Sequence, residues 1–157
     1  MTSPLAEQVV DALRRTGGTV ACAESLTGGL VCSALVDVPG ASDVLLGGVV
    51  AYAPTVKASV LGVPAAVLDA HGTVHRSTAE HMARGVARLL GSTHAIATTG
   101  VAGPGPAEAQ PAGTVLVAVS TAADVRVRVV QIDGDRSSVR AGAVEAALLL
   151  LLETLSG

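Results

Sequence analysis

Thr19-Val20-Ala21-Cys22-Ala23-Glu24-Ser25-Leu26-Thr27-Gly28-Gly29 is the stretch that decides the fold. Thr19 to Ala23 is short and uncharged, the pattern of a strand buried on both faces. Two glycines follow, and an apolar run to about Val38 reads as a helix that stops at Pro39-Gly40. A buried strand feeding a helix is the opening unit of an α/β sheet covered on both sides. The junction also has chemical content. A serine between a strand end and a glycine-containing helix start lies where backbone N–H groups point outward. Such groups can hold a phosphate or a developing oxyanion. The same residues allow a plainer role, with Ser25 or Thr27 capping the helix. Glu24 and Leu26 flank Ser25, so this is not a G-x-S-x-G nucleophile elbow.

Working outward, the remaining chain alternates in the same way. Ser3-Pro4 starts a helix with Leu5, Val9 and Leu13 on one face, stopped by Gly17-Gly18. Val44 to Tyr52 is uncharged and Val-rich and reads as a second buried strand. Pro54 and Pro64 suit the first turns of short helices. Ser77-Thr78-Ala79-Glu80 has the form of a capping box, opening a helix with Met82, Val86 and Leu89 on one face. His94 to Thr98 is a third strand, and the Gly/Pro-rich segment Thr99 to Pro111 is expected to be irregular. Gly113 to Ser120 and Val125 to Ile132 form a strand pair around a short turn, which forces them antiparallel. A last helix begins at Gly134-Asp135, with Val139, Ala143, Ala147, Leu151 and Leu155 inward. The expected fold is a single-domain α/β/α three-layer sandwich with a mixed, mostly parallel sheet, over residues 1–157.

Composition narrows the function. Of 157 residues, half are hydrophobic and 15% are charged, with a net charge of -3, so the chain is not disordered. Trp, Phe and Asn are absent, Tyr52 is the only aromatic residue and Lys57 the only lysine. One aromatic ring cannot build a stacking platform for single-stranded nucleic acid, and an acidic balance gives no footprint for DNA. The frequent residues have GC-rich codons, which makes one Tyr and one Lys so close together less readily filler. Cys22 and Cys32 make no C-x-x-C and read as small thiols. The N-terminus lacks the pattern of a signal peptide, and Ala146 to Leu152 is far short of the ~20 residues of a membrane span. A cytoplasmic location is expected.

Three further segments carry candidate chemistry. Lys57 has no carboxylate near it in Val56-Lys57-Ala58-Ser59-Val60, so burial could turn it into a base; a lysine lying along the surface is the alternative. Thr99-Gly100-Val101-Ala102-Gly103-Pro104-Gly105 lets a backbone approach a ligand closely, but no Gly-Lys-Ser/Thr makes it a Walker loop. Arg136 and Arg140, four apart at a helix N-terminus, suit a phosphate, or are solvated. His71 and His75 lack the context of a metal pair, and no metal site is expected.

Taken together and in order, these motifs resemble the CinA C-terminal family, the nicotinamide mononucleotide deamidases. The matching stretches are Ala23 to Gly29, Tyr52 with Lys57 before Leu61-Gly62-Val63, and His71-Gly72-Thr73-Val74. Further on come Thr99 to Pro104, Pro111-Ala112-Gly113-Thr114-Val115, and Gly134-Asp135-Arg136 with Arg140. The resemblance implies a hydrolase that cuts nicotinamide mononucleotide to nicotinate mononucleotide and ammonia, with no cofactor. It implies Ser25 as nucleophile, Lys57 as base and Tyr52 as its assistant. Glu24 would set the geometry beside Ser25 and Gly29 would stand among the substrate-binding residues; our own expectation is that N–H groups near Thr27 and Gly28 hold the oxyanion. Thr99, Gly100, Ala102 and Gly103, with Arg136 or Arg140, would bind the ribose phosphate. Three residues depart from the family pattern: His75 where Ser is usual, Pro106 within the Gly-rich loop, and Ala109 where an acid is common. The alternatives are a nucleotide-binding module without turnover and an interaction protein linked to competence or DNA repair. The few charges also point to a homo-oligomer.

Overall fold

The computed structural model describes residues 1–157. Helix α1 (Pro4–Thr16) is capped by the Ser3 hydroxyl and ends on Gly17. Strand β1 (Val20–Glu24) is buried throughout. After α2 (Leu30–Val36) come β2 (Leu45–Val50), the short helices α3 (Pro54–Ser59) and α4 (Ala65–His71), and the long α5 (Arg76–Leu90). Strands β3 (His94–Gly100), β4 (Thr114–Ser120) and β5 (Val125–Gln131) precede α6 (Arg136–Ser156).

The five strands form one sheet in the order β2-β1-β3-β4-β5. β1 pairs in parallel with both β2 and β3, whereas β4 is antiparallel to both its neighbours. Four strands therefore point one way and β4 alone runs against them, as the short link between β4 and β5 requires.

Side-chain alternation along β1 divides the core. Val20 and Cys22 join a cluster with α1, α2 and α6, while Ala21 and Ala23 join a second cluster with α5. The α5 face of the sheet is paved with small residues, Ala21, Ala23, Ala95, Ala97 and Ala118, so the helix lies close. Gly85 of α5 completes this approach on its other side: a methyl there would stand 1.9 Å from the Leu61 carbonyl oxygen. No helix is long and apolar enough to cross a membrane.

Three expectations need correction. β2 is not a buried strand; it stops at Val50 and lies at the sheet edge with Leu46 and Val50 exposed. An uncharged Val-rich run reads alike whether one neighbour covers it or two. Ser77 does not cap α5. The helix begins two residues earlier, capped by His75, whose Nδ1 accepts the Ser77 N–H at 3.1 Å. Leu89 is exposed at the helix end, although Met82 and Val86 are buried. Finally, Thr99 and Gly100 are not loop. They are the last residues of β3, paired with Leu116 and Val115.

Candidate functional site

β1 sends the chain to β2 through α2 on one face of the sheet, and β2 sends it to β3 through α3, α4 and α5 on the other. The crossovers part between β1 and β3, and the carboxyl ends of such strands leave a crevice for ligands. A cavity of about 320 Å³ opens there. Ser25 follows β1, Tyr52 follows β2, and the segment from Val101 to Glu108 follows β3; all line it.

The Ser25 turn is fixed from below. The Ser25 N–H donates to the Thr98 carbonyl oxygen at 3.1 Å, tying β1's end to β3. Glu24 is 1% exposed, and its carboxylate accepts the N–H groups of Gly29, Val31 and Cys32 at 3.2, 2.8 and 3.1 Å. It thus satisfies the open donors of α2, whose own cap position, Gly29, has no side chain to do so. Arg140 reaches from α6, donating from Nε to the Leu26 carbonyl oxygen at 2.8 Å and from a terminal nitrogen to that of Thr27 at 3.3 Å. The Thr27 hydroxyl meets that of Thr98 at 2.8 Å in the interior. Gly28 takes φ +56, where a side chain is strained and would also crowd Arg140.

Lys57 enters from α3, 1% exposed. Its Nζ lies 2.9 Å from Ser25 Oγ, 2.7 Å from the Ala51 carbonyl oxygen and 3.1 Å from that of Tyr52. Burial disfavours the ammonium and lowers the Lys57 pKa from 10.5 to about 8. The charge of Glu108 opposes that shift. The local sequence shows no carboxylate near Lys57; the fold brings one from 51 positions away.

Tyr52 is 62% exposed. Its phenol oxygen accepts from Arg136 at 3.1 Å, and Arg136 also donates to the Gly103 carbonyl oxygen at 2.5 Å. The backbone of Tyr52, rather than its hydroxyl, touches Lys57.

The sequence candidates therefore separate. Ser25, Tyr52, Lys57, Gly100, Ala102, Gly103 and Arg136 line the cavity. Glu24, Thr27, Gly28, Gly29, Thr99 and Arg140 do not; they stand beneath it and hold its shape. Thr99 holds the neighbouring wall, donating its hydroxyl to the Thr73 carbonyl oxygen at 2.7 Å. The Gly28 N–H is also unavailable to a ligand, because it donates to the Ser25 carbonyl oxygen at 3.1 Å. The Leu26 N–H makes no intramolecular bond and belongs to a residue on the wall.

Thr73, Val74 and Glu108 also line the cavity and carried no assignment from the sequence. The available signal was Glu108 itself, the one acid in the Gly/Pro-rich segment. The rings of His71 and His75 stack, with centroids 3.9 Å apart and 6° between planes. His75 does with its ring nitrogen the capping that a serine hydroxyl performs elsewhere.

A buried lysine against a serine at the switch point of a mixed five-stranded sheet places the chain among small single-sheet α/β domains. Comparison with known proteins names the family. Residues 2–155 match the CinA C-terminal domain. A CinA-like protein of Frankia casuarinae is 46% identical over 95% of this chain, and one of Myxococcus xanthus 43% over 94%. The chain spans only 34% and 35% of those two relatives. A competence-damaged protein (CinA) superfamily structure from Klebsiella pneumoniae superposes with a TM-score of 0.94 at 34% identity, covering 97% of this chain and 96% of that one. The chain belongs to the CinA C-terminal domain family.

Proposed function

We propose that the chain is a serine amidohydrolase that converts nicotinamide mononucleotide to nicotinate mononucleotide and ammonia, in cytoplasmic pyridine nucleotide salvage. The observation that carries this reading is the 2.9 Å approach of Lys57 Nζ to Ser25 Oγ inside the cavity.

A neutral amine has two N–H bonds and one lone pair. The Ala51 and Tyr52 carbonyl oxygens accept the two N–H bonds, leaving the lone pair for the Ser25 proton. Lys57 takes that proton as Oγ attacks the carboxamide carbon, and a tetrahedral oxyanion forms. The unengaged Leu26 N–H supports the reading as its donor. The new ammonium gives its proton to the departing nitrogen, the C–N bond breaks, and ammonia leaves Ser25 acylated. Water then loses a proton to Lys57 and attacks the ester carbon, and the ammonium returns that proton to Oγ as the ester C–O bond breaks and nicotinate mononucleotide leaves. Arg136, on the cavity rim and oriented by Tyr52 and Gly103, suits the ribose phosphate.

Ammonia release from nicotinamide mononucleotide tests the reading. Ser25→Ala and Lys57→Ala should each lower turnover by about 100-fold or more. Full activity in Lys57→Ala would break the serine–lysine mechanism. Binding of the nucleotide by the wild type without release would favour a non-catalytic module.

A further inference from the structure

Glu108 is the only acidic residue on the cavity wall, which otherwise carries the two cations Lys57 and Arg136. Its backbone is unusual. Ala107 and Gln110 exchange N–H to carbonyl bonds of 3.0 and 2.8 Å, closing a two-residue turn. The two residues between them, Glu108 and Ala109, have φ of +48 and +59. Two consecutive left-handed residues are the pattern of a type I′ turn, which normally takes Asn-Gly. Glu and Ala are costly there, at roughly 1–2 kcal/mol each. A costly turn persists only where other contacts hold it.

The contacts come from the Glu108 carboxylate. It accepts the Thr73 N–H at 2.8 Å and a short bond from the Thr73 hydroxyl. Thr73 is itself held by Thr99 at its carbonyl oxygen, and the preceding Gly72 carbonyl oxygen accepts from Thr78 at 2.7 Å. The carboxylate is thus latched at the mouth of the cavity. Two bonds leave further lone pairs on its oxygens. Its field reaches the reacting position, because it opposes the loss of charge at Lys57, 2.9 Å from Ser25 Oγ.

We propose that Glu108 is the charge selector of this cavity, favouring a ligand whose ring beside the scissile carboxamide is cationic. This inference rests on the amidohydrolase reading. In nicotinamide mononucleotide the ring is a pyridinium, with its positive nitrogen meta to the carboxamide. In the reduced nucleotide the ring is an uncharged dihydropyridine of nearly the same shape. With Arg136 toward the phosphate and Glu108 toward the ring, the cavity matches the oxidised nucleotide at both charges. The one aromatic side chain, Tyr52, is engaged with Arg136. The carboxylate takes the part that stacked aromatic rings play for cations elsewhere.

The test compares affinities for oxidised and reduced nicotinamide mononucleotide by calorimetry, in a Ser25→Ala background that prevents turnover. The carboxylate is solvent-exposed, so its preference for the cationic ring should be about five-fold. Glu108→Gln keeps an acceptor for Thr73 and removes the charge, and should abolish the preference. Thr73→Val keeps the charge and removes one latch bond, and should retain the preference. With Ser25 present, Glu108→Gln should also move the acidic limb of the pH profile to lower pH, since Lys57 loses the charge that favours its ammonium. A preference unchanged in Glu108→Gln, or lost equally in Thr73→Val, overturns the inference. Ammonia release by the wild type leaves the amidohydrolase reading standing in either case. No binding of the oxidised nucleotide and no ammonia release would overturn that reading, and this inference with it.

Discussion

The floor and the rim of the cavity are built on opposite principles. On the floor, one element supplies each part and buried polar groups are locked by neighbours. Glu24 holds three N–H groups, Arg140 two carbonyl oxygens and Lys57 three oxygen partners. At the rim, Arg136 and Tyr52 are exposed, and Glu108 sits on a turn whose residues disfavour it. Removing a buried partner leaves another polar group unsatisfied, whereas removing an exposed one mostly exposes it to water. Floor substitutions should therefore cost turnover and stability together, and rim substitutions chiefly affinity and selectivity.

The largest effect expected is on the floor. Lys57→Met should abolish turnover while leaving a folded protein. The same residue sets a pH signature. Its folded pKa of about 8 lies below its unfolded value, so at pH between the two the unfolded chain binds more protons. Wild-type stability should thus rise through that window, up to about pH 10.5, relative to Lys57→Met. Wild-type turnover should rise as pH passes about 8. Urea titrations and a rate profile across that range check both. A turnover profile flat through pH 8 would break the comparison at its base.

Next, Glu24→Ala strands three N–H groups, one buried and two part-buried, and should lower stability by about 2–3 kcal/mol in denaturant unfolding. Retained stability would mean that α2 needs no cap from β1. Arg136→Ala, at the rim, should weaken nucleotide binding about 10-fold with little change in melting temperature. A large loss of stability instead would make the rim structural. The smallest effect expected is Ala109→Gly, which relieves a left-handed alanine and should stabilise by about 1 kcal/mol, read as a rise in Tm.

The floor was also the more legible half in the sequence. Ser25 and Lys57 stand near a glycine break, a strand end and a proline helix start, which local patterns mark. Part of the support was misread: Thr27, Thr99 and Arg140 look like ligand residues in sequence, yet their polar atoms are spent on backbone partners and a neighbouring hydroxyl. Donors and acceptors are visible in a sequence, but their partners are not. At the rim, Tyr52 and Arg136 stood out in the sequence, but the Glu108 turn was legible only as part of a glycine- and proline-rich segment. That turn has none of the residues that such a turn normally takes, so no local signal pointed to it.

The sequence by itself determined the alternation of strands and helices, the antiparallel last pair and the sites of chain breaks, because periodicity and turn chemistry are local. Tertiary structure alone decided that β2 is an edge, that His75 caps α5, and that Lys57 meets both Ser25 and the field of Glu108. Those outcomes depend on which groups share a space after burial, and burial is a property of the packed whole. The single lysine and the single tyrosine were countable from the first residue to the last. What a buried amine does depends on the three oxygens around it and one carboxylate across the cavity, and only the fold brings those together.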